Sequence, residues 1–158
     1  MAPALRSDPD MYERMMLLKQ RDPHLKIYIA IGGWAFNDPG STQTTFSDLA
    51  ASLPRQKAFI GSLLSFMSTY GFDGVDIDWE YPEAPDRAGR GVDYTNFPIF
   101  MKRLKDTLAF VDKGVTITLP ASYWYLQHFD IIKLVSCITL PFAPLRSVNR
   151  PPCCIASS

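Results

Sequence analysis

The chain alternates between two polarity periods. Met11, Met15 and Leu18 recur at helical spacing up to about Gln20, with Asp8 as a predicted N-cap and Pro9 at the first helical position. After the turn signal Asp22-Pro23, the apolar run Leu25 to Ile31 predicts a buried strand that ends at Gly32-Gly33. A polar loop follows, with Asn37, Pro39, Gly40 and several Ser and Thr residues. Next comes the clearest helix: Pro54 stands near its start, and Phe59, Leu63, Phe66, Met67 and Tyr70 form one apolar stripe. Gly71 falls where a left-handed C-cap belongs.

A second strand is predicted from about Gly74 to Glu80, stopped by Pro82, and Glu83 to Gly91 reads as loop. Another amphipathic helix begins between Asp93 and Pro98 and carries Phe100, Met101, Leu104 and Leu108 on one side. Val115 to Leu119 is the third strand, closed by Pro120, and a weaker helix covers about His128 to Val135. Short apolar strands alternating with helices imply parallel βαβ units. An open doubly wound sheet and a (β/α)8 barrel both use that unit, and periodicity does not separate them. After Val135 neither period continues. Residues 136–158 hold all three cysteines (Cys137, Cys153, Cys154) and Pro141, Pro144, Pro151 and Pro152, so the reading divides the chain into 1–135 and an off-pattern tail.

Composition narrows the function classes. With 158 residues, 47% of them hydrophobic, one globular domain is expected. Sixteen basic residues balance sixteen acidic ones, which leaves no surplus to drive binding to nucleic acid or anionic lipid. No apolar run reaches the roughly 18 residues of a membrane span, and Met1 to Lys19 shows no secretory h-region. The odd cysteine count and the isolated His24 and His128 call for no metal and no disulfide framework.

The chemistry concentrates in Asp73 to Pro82, DGVDIDWEYP. Side chains alternate along a strand, so Asp76, Asp78 and Glu80 share one face while Val75, Ile77 and Trp79 share the other, which predicts a core position for Trp79. The flanking amphipathic helices predict a central strand whose acidic face is partly enclosed. Three carboxylates about 7 Å apart along one face repel one another, so at least one retains a proton near neutral pH. A retained proton is what a general acid needs. Glu80, last on the strand and longest in reach, is the candidate donor, with Asp78 beside it and Asp76 one layer deeper. Two other readings fit the pattern: an acidic solvated edge, and a Mg²⁺ or Mn²⁺ site of the sugar-nucleotide-transferase kind. No Gly-rich phosphate loop or basic clamp accompanies the latter.

DGVDIDWEYP resembles the DxxDxDxE signature of glycoside hydrolase family 18, the chitinases. IAIGGW (Ile29 to Trp34) resembles that family's third-strand SxGG segment, with Ala30 in place of the usual Ser. The spacing of the two motifs and TITLPASYWYLQHFD (Thr116 to Asp130) are similar to fungal chitinases of the killer-toxin α-subunit-like branch. The resemblance covers about residues 8–135. It implies part of a (β/α)8 barrel, about strands three to five with their helices, incomplete at both ends. It also implies retaining, substrate-assisted cleavage of β-1,4-N-acetylglucosamine linkages in chitin or chito-oligosaccharides, without a cofactor. In that scheme Glu80 is the proton donor, Asp78 holds the substrate acetamido N–H, and Asp76 shares a proton with Asp78.

Sugars stack on aromatic rings, so Trp34 at the end of its strand, beside Gly33, is the first candidate for substrate contact and Tyr81 the second. Tyr123, Trp124 and Tyr125 are expected to pack or line a loop. The family's relatives are largely secreted, which implies an extracellular location. Its sixth-strand Met-x-Tyr-Asp segment and eighth-strand Trp have no counterpart here, so the chain is expected to be a truncated product. Its unpaired strand edges predict self-association.

Overall fold

The structure, a computed structural model, describes residues 5–139. The chain runs α1 (Asp8–Met16), α2 (Leu18–Arg21), β1 (Tyr28–Gly32), α3 (Thr45–Ala50), α4 (Leu53–Tyr70), β2 (Gly74–Asp78), α5 (Asp93–Ala109), β3 (Gly114–Ile117), α6 (Tyr123–Leu126) and α7 (Ile131–Val135). Short 3-10 turns stand at Trp34–Asn37 and Pro85–Arg87. Among the described residues the strands form one parallel sheet in the order β1-β2-β3. The register sets Ala30 opposite Asp76 and Gly32 opposite Asp78, and Asp76 opposite Thr116 on the other side.

The two faces of β2 differ as its alternation demands. Val75, Ile77 and Trp79 are buried against the helices. Asp76 and Asp78 point to the opposite face and are half-buried. Both crossover helices, α4 and α5, cover the apolar face. A doubly wound sheet clothes both faces with apolar contacts, whereas a barrel turns one face inward and can line its mouth with polar groups. The observed arrangement is that of a barrel arc.

Helix α4 forms where its sequence supplies both ends. Ser52 accepts the Arg55 N–H as N-cap, and Gly71, at φ +80°, donates its N–H to the Met67 carbonyl as C-cap. Its inner stripe of Ile60, Leu63, Phe66 and Met67 meets Phe100, Met101, Leu104 and Leu108 of α5 in one core. Each of these side chains contributes about 1.5–3 kcal/mol by leaving water.

Several expectations are corrected. The first helix breaks at Leu17 into α1 and α2, and its N-cap is Ser7 rather than Asp8. Its packed side is out of phase with the one expected: Met11, Met15 and Leu18 are exposed. Tyr12 and Met16 pack instead, because the Tyr12 ring finds edge contacts with Phe66, Tyr70 and Phe72. Strand β1 is half-buried, since β2 covers one side of it. The polar loop contains a further helix, α3, whose Phe46, Leu49 and Ala50 are buried at helical spacing. Strand β2 stops at Asp78, two residues short of Glu80. The helix expected over about His128 to Val135 is shortened to α7, capped by Asp130, and a separate short helix, α6, precedes it.

Packing continues beyond Val135. Cys137 is buried in the core, and Thr139 donates its N–H to the Val115 carbonyl at 2.7 Å. The rest of the off-pattern stretch, residues 140–158, lies outside the described residues.

Candidate active site

All the candidate side chains collect at the carboxyl end of the sheet, where parallel α/β folds place their ligands. The Gly32-Gly33 pair brings the end of β1 against β2. A side chain at Gly32, where φ is +116°, would overlap the Asp78 carbonyl and the Phe46 ring. Gly33, at φ +94°, donates its N–H to the Asp78 carbonyl at 2.8 Å. Trp34 follows at once and is 52% exposed, so its ring is available to a ligand.

The three carboxylates are not equivalent. Asp76, deepest along the face, accepts hydrogen bonds from Thr116 Oγ1 at 2.5 Å and from Thr118 Oγ1 at 2.7 Å, one on each oxygen. Asp78, in the middle, has Oδ1 buried without a hydrogen-bond partner among the described residues. Burial pushes its carboxyl up to about 6, and the charges of Glu80 and Asp76 add to the rise, as does a hydrogen bond with Glu80. Burial first, and crowding second, thus make Asp78 easier to protonate than an ordinary aspartate. Glu80 lies just past the strand, half-buried, with its backbone N–H donated to Asn37 Oδ1 at 3.2 Å.

The Glu80–Tyr81 peptide is cis. Tyr81 stacks on Tyr125 with centroids 4.1 Å apart and planes at 24°, and meets Trp34 edge-on at 6.5 Å. One face of Tyr81 is thus covered. Burial pushes its hydroxyl up to about 12, with the Glu80 charge as the next cause. Tyr125 in turn donates its hydroxyl to Asp86 at 2.7 Å. Tyr123 and Trp124 instead remain exposed, so the aromatic cluster after β3 splits between packing and surface. Trp79 takes the core position that alternation predicts, stacked on Phe46 and edge-on to Phe97.

Four contributing residues escaped the sequence reading. Thr116, in register with Asp76, and Thr118, just past the end of β3, alternate along the chain, so the period that found the acids could have found them. Asn37, fully buried, and Arg87 sit in non-periodic turns and carry no such signal.

Asp76 and Asp78 on the central parallel strand and Glu80 just past its end make one row of acids, with the exposed Trp34 ring next to Gly33. The family model for glycosyl hydrolases family 18 matches residues 3–141. Over 120 residues the chain is 40% identical to a probable chitinase LysM11 of Penicillium expansum, covering 73% of this chain and 10% of that protein. Over 106 residues it is 38% identical to the killer toxin subunits alpha/beta of Kluyveromyces lactis, covering 65% of this chain and 9% of the toxin. The fold superposes on a Group IV chitinase of Ostrinia furnacalis with a TM-score of 0.75 and 27% identity, covering 87% of this chain and 37% of that one. The chain belongs to glycosyl hydrolases family 18, and its sheet is a three-stranded arc of the family's (β/α)8 barrel. It spans about a tenth of the length of these curated relatives.

Proposed function

We propose that the chain carries the acid-bearing segment of a chitinase, which hydrolyses β-1,4-N-acetylglucosamine linkages of chitin with retention. The observation that carries this reading is the ordered carboxylate row: Asp76 held by two threonine hydroxyls, Asp78 raised to about 6, and Glu80 half-buried just past the strand's end.

In the proposed reaction Glu80 protonates the glycosidic oxygen as the bond to the anomeric carbon breaks. The substrate's own acetamido oxygen forms the new bond to that carbon, which gives an oxazolinium ion and needs no protein nucleophile. Asp78 accepts the acetamido N–H and stabilises the developing positive charge. Asp76, held rigidly from β3, shares a proton with Asp78 and keeps it oriented. Water then attacks the anomeric carbon, gives its proton to Glu80, and restores the acetamido group and the acid. Trp34 offers a flat apolar surface for a sugar ring, and Gly33 lets the substrate approach Asp78 closely. Turnover belongs to the closed barrel, whose other strands complete the wall around this row.

The test sets residues 5–139 in place of the matching segment of the Ostrinia furnacalis Group IV chitinase. The first product from a chitin tetrasaccharide is then read by proton NMR. Release of the β-anomer is expected. Release of the α-anomer would overturn retention, and binding without cleavage would reduce the segment to a chitin-binding element.

A further inference from the structure

A buried arginine ties the exposed ring to the acid. Arg87 is 6% exposed, yet among the described residues only one of its partners is charged. Its Nε donates to the Glu80 carbonyl at 3.1 Å, one terminal nitrogen to Asp38 Oδ1 at 2.9 Å, and the other to the Trp34 carbonyl at 2.7 Å. The guanidinium carbon also lies 3.9 Å from the centroid of the Trp34 ring, within cation–π range. Burying a cation is costly unless its donors are satisfied, and this one is satisfied by groups from the ends of β1 and β2.

The loop that presents Arg87 is itself held in an uncommon shape. Glu83 and Ala88, either side of the Pro85–Arg87 turn, have φ of +59° and +55°. Non-glycine residues occupy that region only where their surroundings over-determine it. Buried Asp93 supplies the constraint: its Oδ2 accepts the Ser47 hydroxyl at 2.7 Å and the backbone N–H groups of Arg90 at 2.7 Å and Glu83 at 3.4 Å.

We propose that Arg87 is a positioning residue, which fixes the Trp34 ring relative to Glu80 by bridging the backbone of both and lying against one face of the indole. The inference rests on the chitinase reading for its consequence, since it makes the sugar-stacking surface and the proton donor one rigid unit. Trp34 keeps 52% of its surface in solvent, so with the guanidinium against one face the ring still has surface to offer a sugar. Lysine cannot substitute, because a single ammonium does not reproduce the planar fork that spans three acceptors.

The test labels the full chain with 5-fluorotryptophan and follows three resonances, assigned by single Trp→Phe variants. Arg87→Gln and Arg87→Lys should both move and broaden the Trp34 resonance while leaving that of core Trp79 in place. If Arg87→Gln unfolds the chain, the Lys variant, which keeps the charge and stem, decides. An unmoved Trp34 resonance in a folded Lys variant overturns the proposal, as does a joint shift of Trp34 and Trp79, which would mark a general packing role. Titration of the unsubstituted chain with tetra-N-acetylchitotetraose separates the two levels. No response of Trp34 to sugar counts against the chitinase reading, while the sugar-free spectra still decide the role of Arg87. In the barrel exchange described above, Arg87→Lys should lower kcat/KM about 10²-fold, the scale of a small misplacement near a reacting centre.

Discussion

Thr116 and Asp76 face each other across the β2–β3 register, with the threonine hydroxyl 2.5 Å from one carboxylate oxygen. Thr118 takes the other oxygen at 2.7 Å. On the opposite side Asp76 pairs in register with Ala30, which has no hydroxyl to offer. Among the described residues, the hydroxyls that hold this acid come from β3 and the residue just past it. Thr116→Val should cost about 1.5–3 kcal/mol, the worth of a hydrogen bond to a charged group, in urea unfolding near neutral pH. Thr116→Ser should recover most of it. A loss for Ser with none for Val, which keeps a methyl, would show that the methyl contact, and not the hydroxyl, matters.

The raised carboxyl of Asp78 makes stability depend on pH in a defined sense. Its folded value of about 6 exceeds the ordinary 3.8, so between these limits the folded chain binds more protons than the unfolded one. Stability contributed by this group is full below about pH 4 and is lost as pH rises through 6. Asp78→Asn should flatten that decline and stabilise the chain at pH 7, on the order of 1 kcal/mol after screening by solvent on the open face. Unfolding free energies measured at pH 4 and pH 7 for both proteins check the sign.

Two glycines should respond oppositely to alanine. Gly32 sits at φ +116° with the Asp78 carbonyl and Phe46 in the path of any side chain, so Gly32→Ala should destabilise by more than about 1–3 kcal/mol, the cost of the backbone strain alone. Gly61 lies within α4 with open space around it, so Gly61→Ala should stabilise by about 0.5–1 kcal/mol. Paired thermal melts would read both.

The sequence made some features legible because one period served both structure and chemistry. Alternation along β2 placed Val75, Ile77 and Trp79 inward and set the acids on the other face, and the stripe of α4 ended at Gly71 as its C-cap requires. Where the period was ambiguous the reading slipped. Tyr12 and Met16 displaced Met11 and Met15 from the core because an aromatic ring found aromatic partners 54 to 60 positions away, at Phe66, Tyr70 and Phe72. Arg87 and Asn37 had no signal, since a charged or polar residue in a turn looks solvated until tertiary contacts bury it.

Strand β1 pairs on one side only among the described residues, and an unpaired edge is a template for a second chain. Sedimentation should show association that grows with concentration. A monomer with a sharp cooperative melt at every concentration would contradict this.

The role of Glu80 is the centre of the account. Glu80→Gln, placed in the barrel that carries residues 5–139, should lower hydrolysis of chitin oligosaccharides by about 10²–10⁴-fold while leaving their binding intact. Hydrolysis by the Gln variant at the rate of the unsubstituted protein would contradict the assignment of Glu80 as the proton donor.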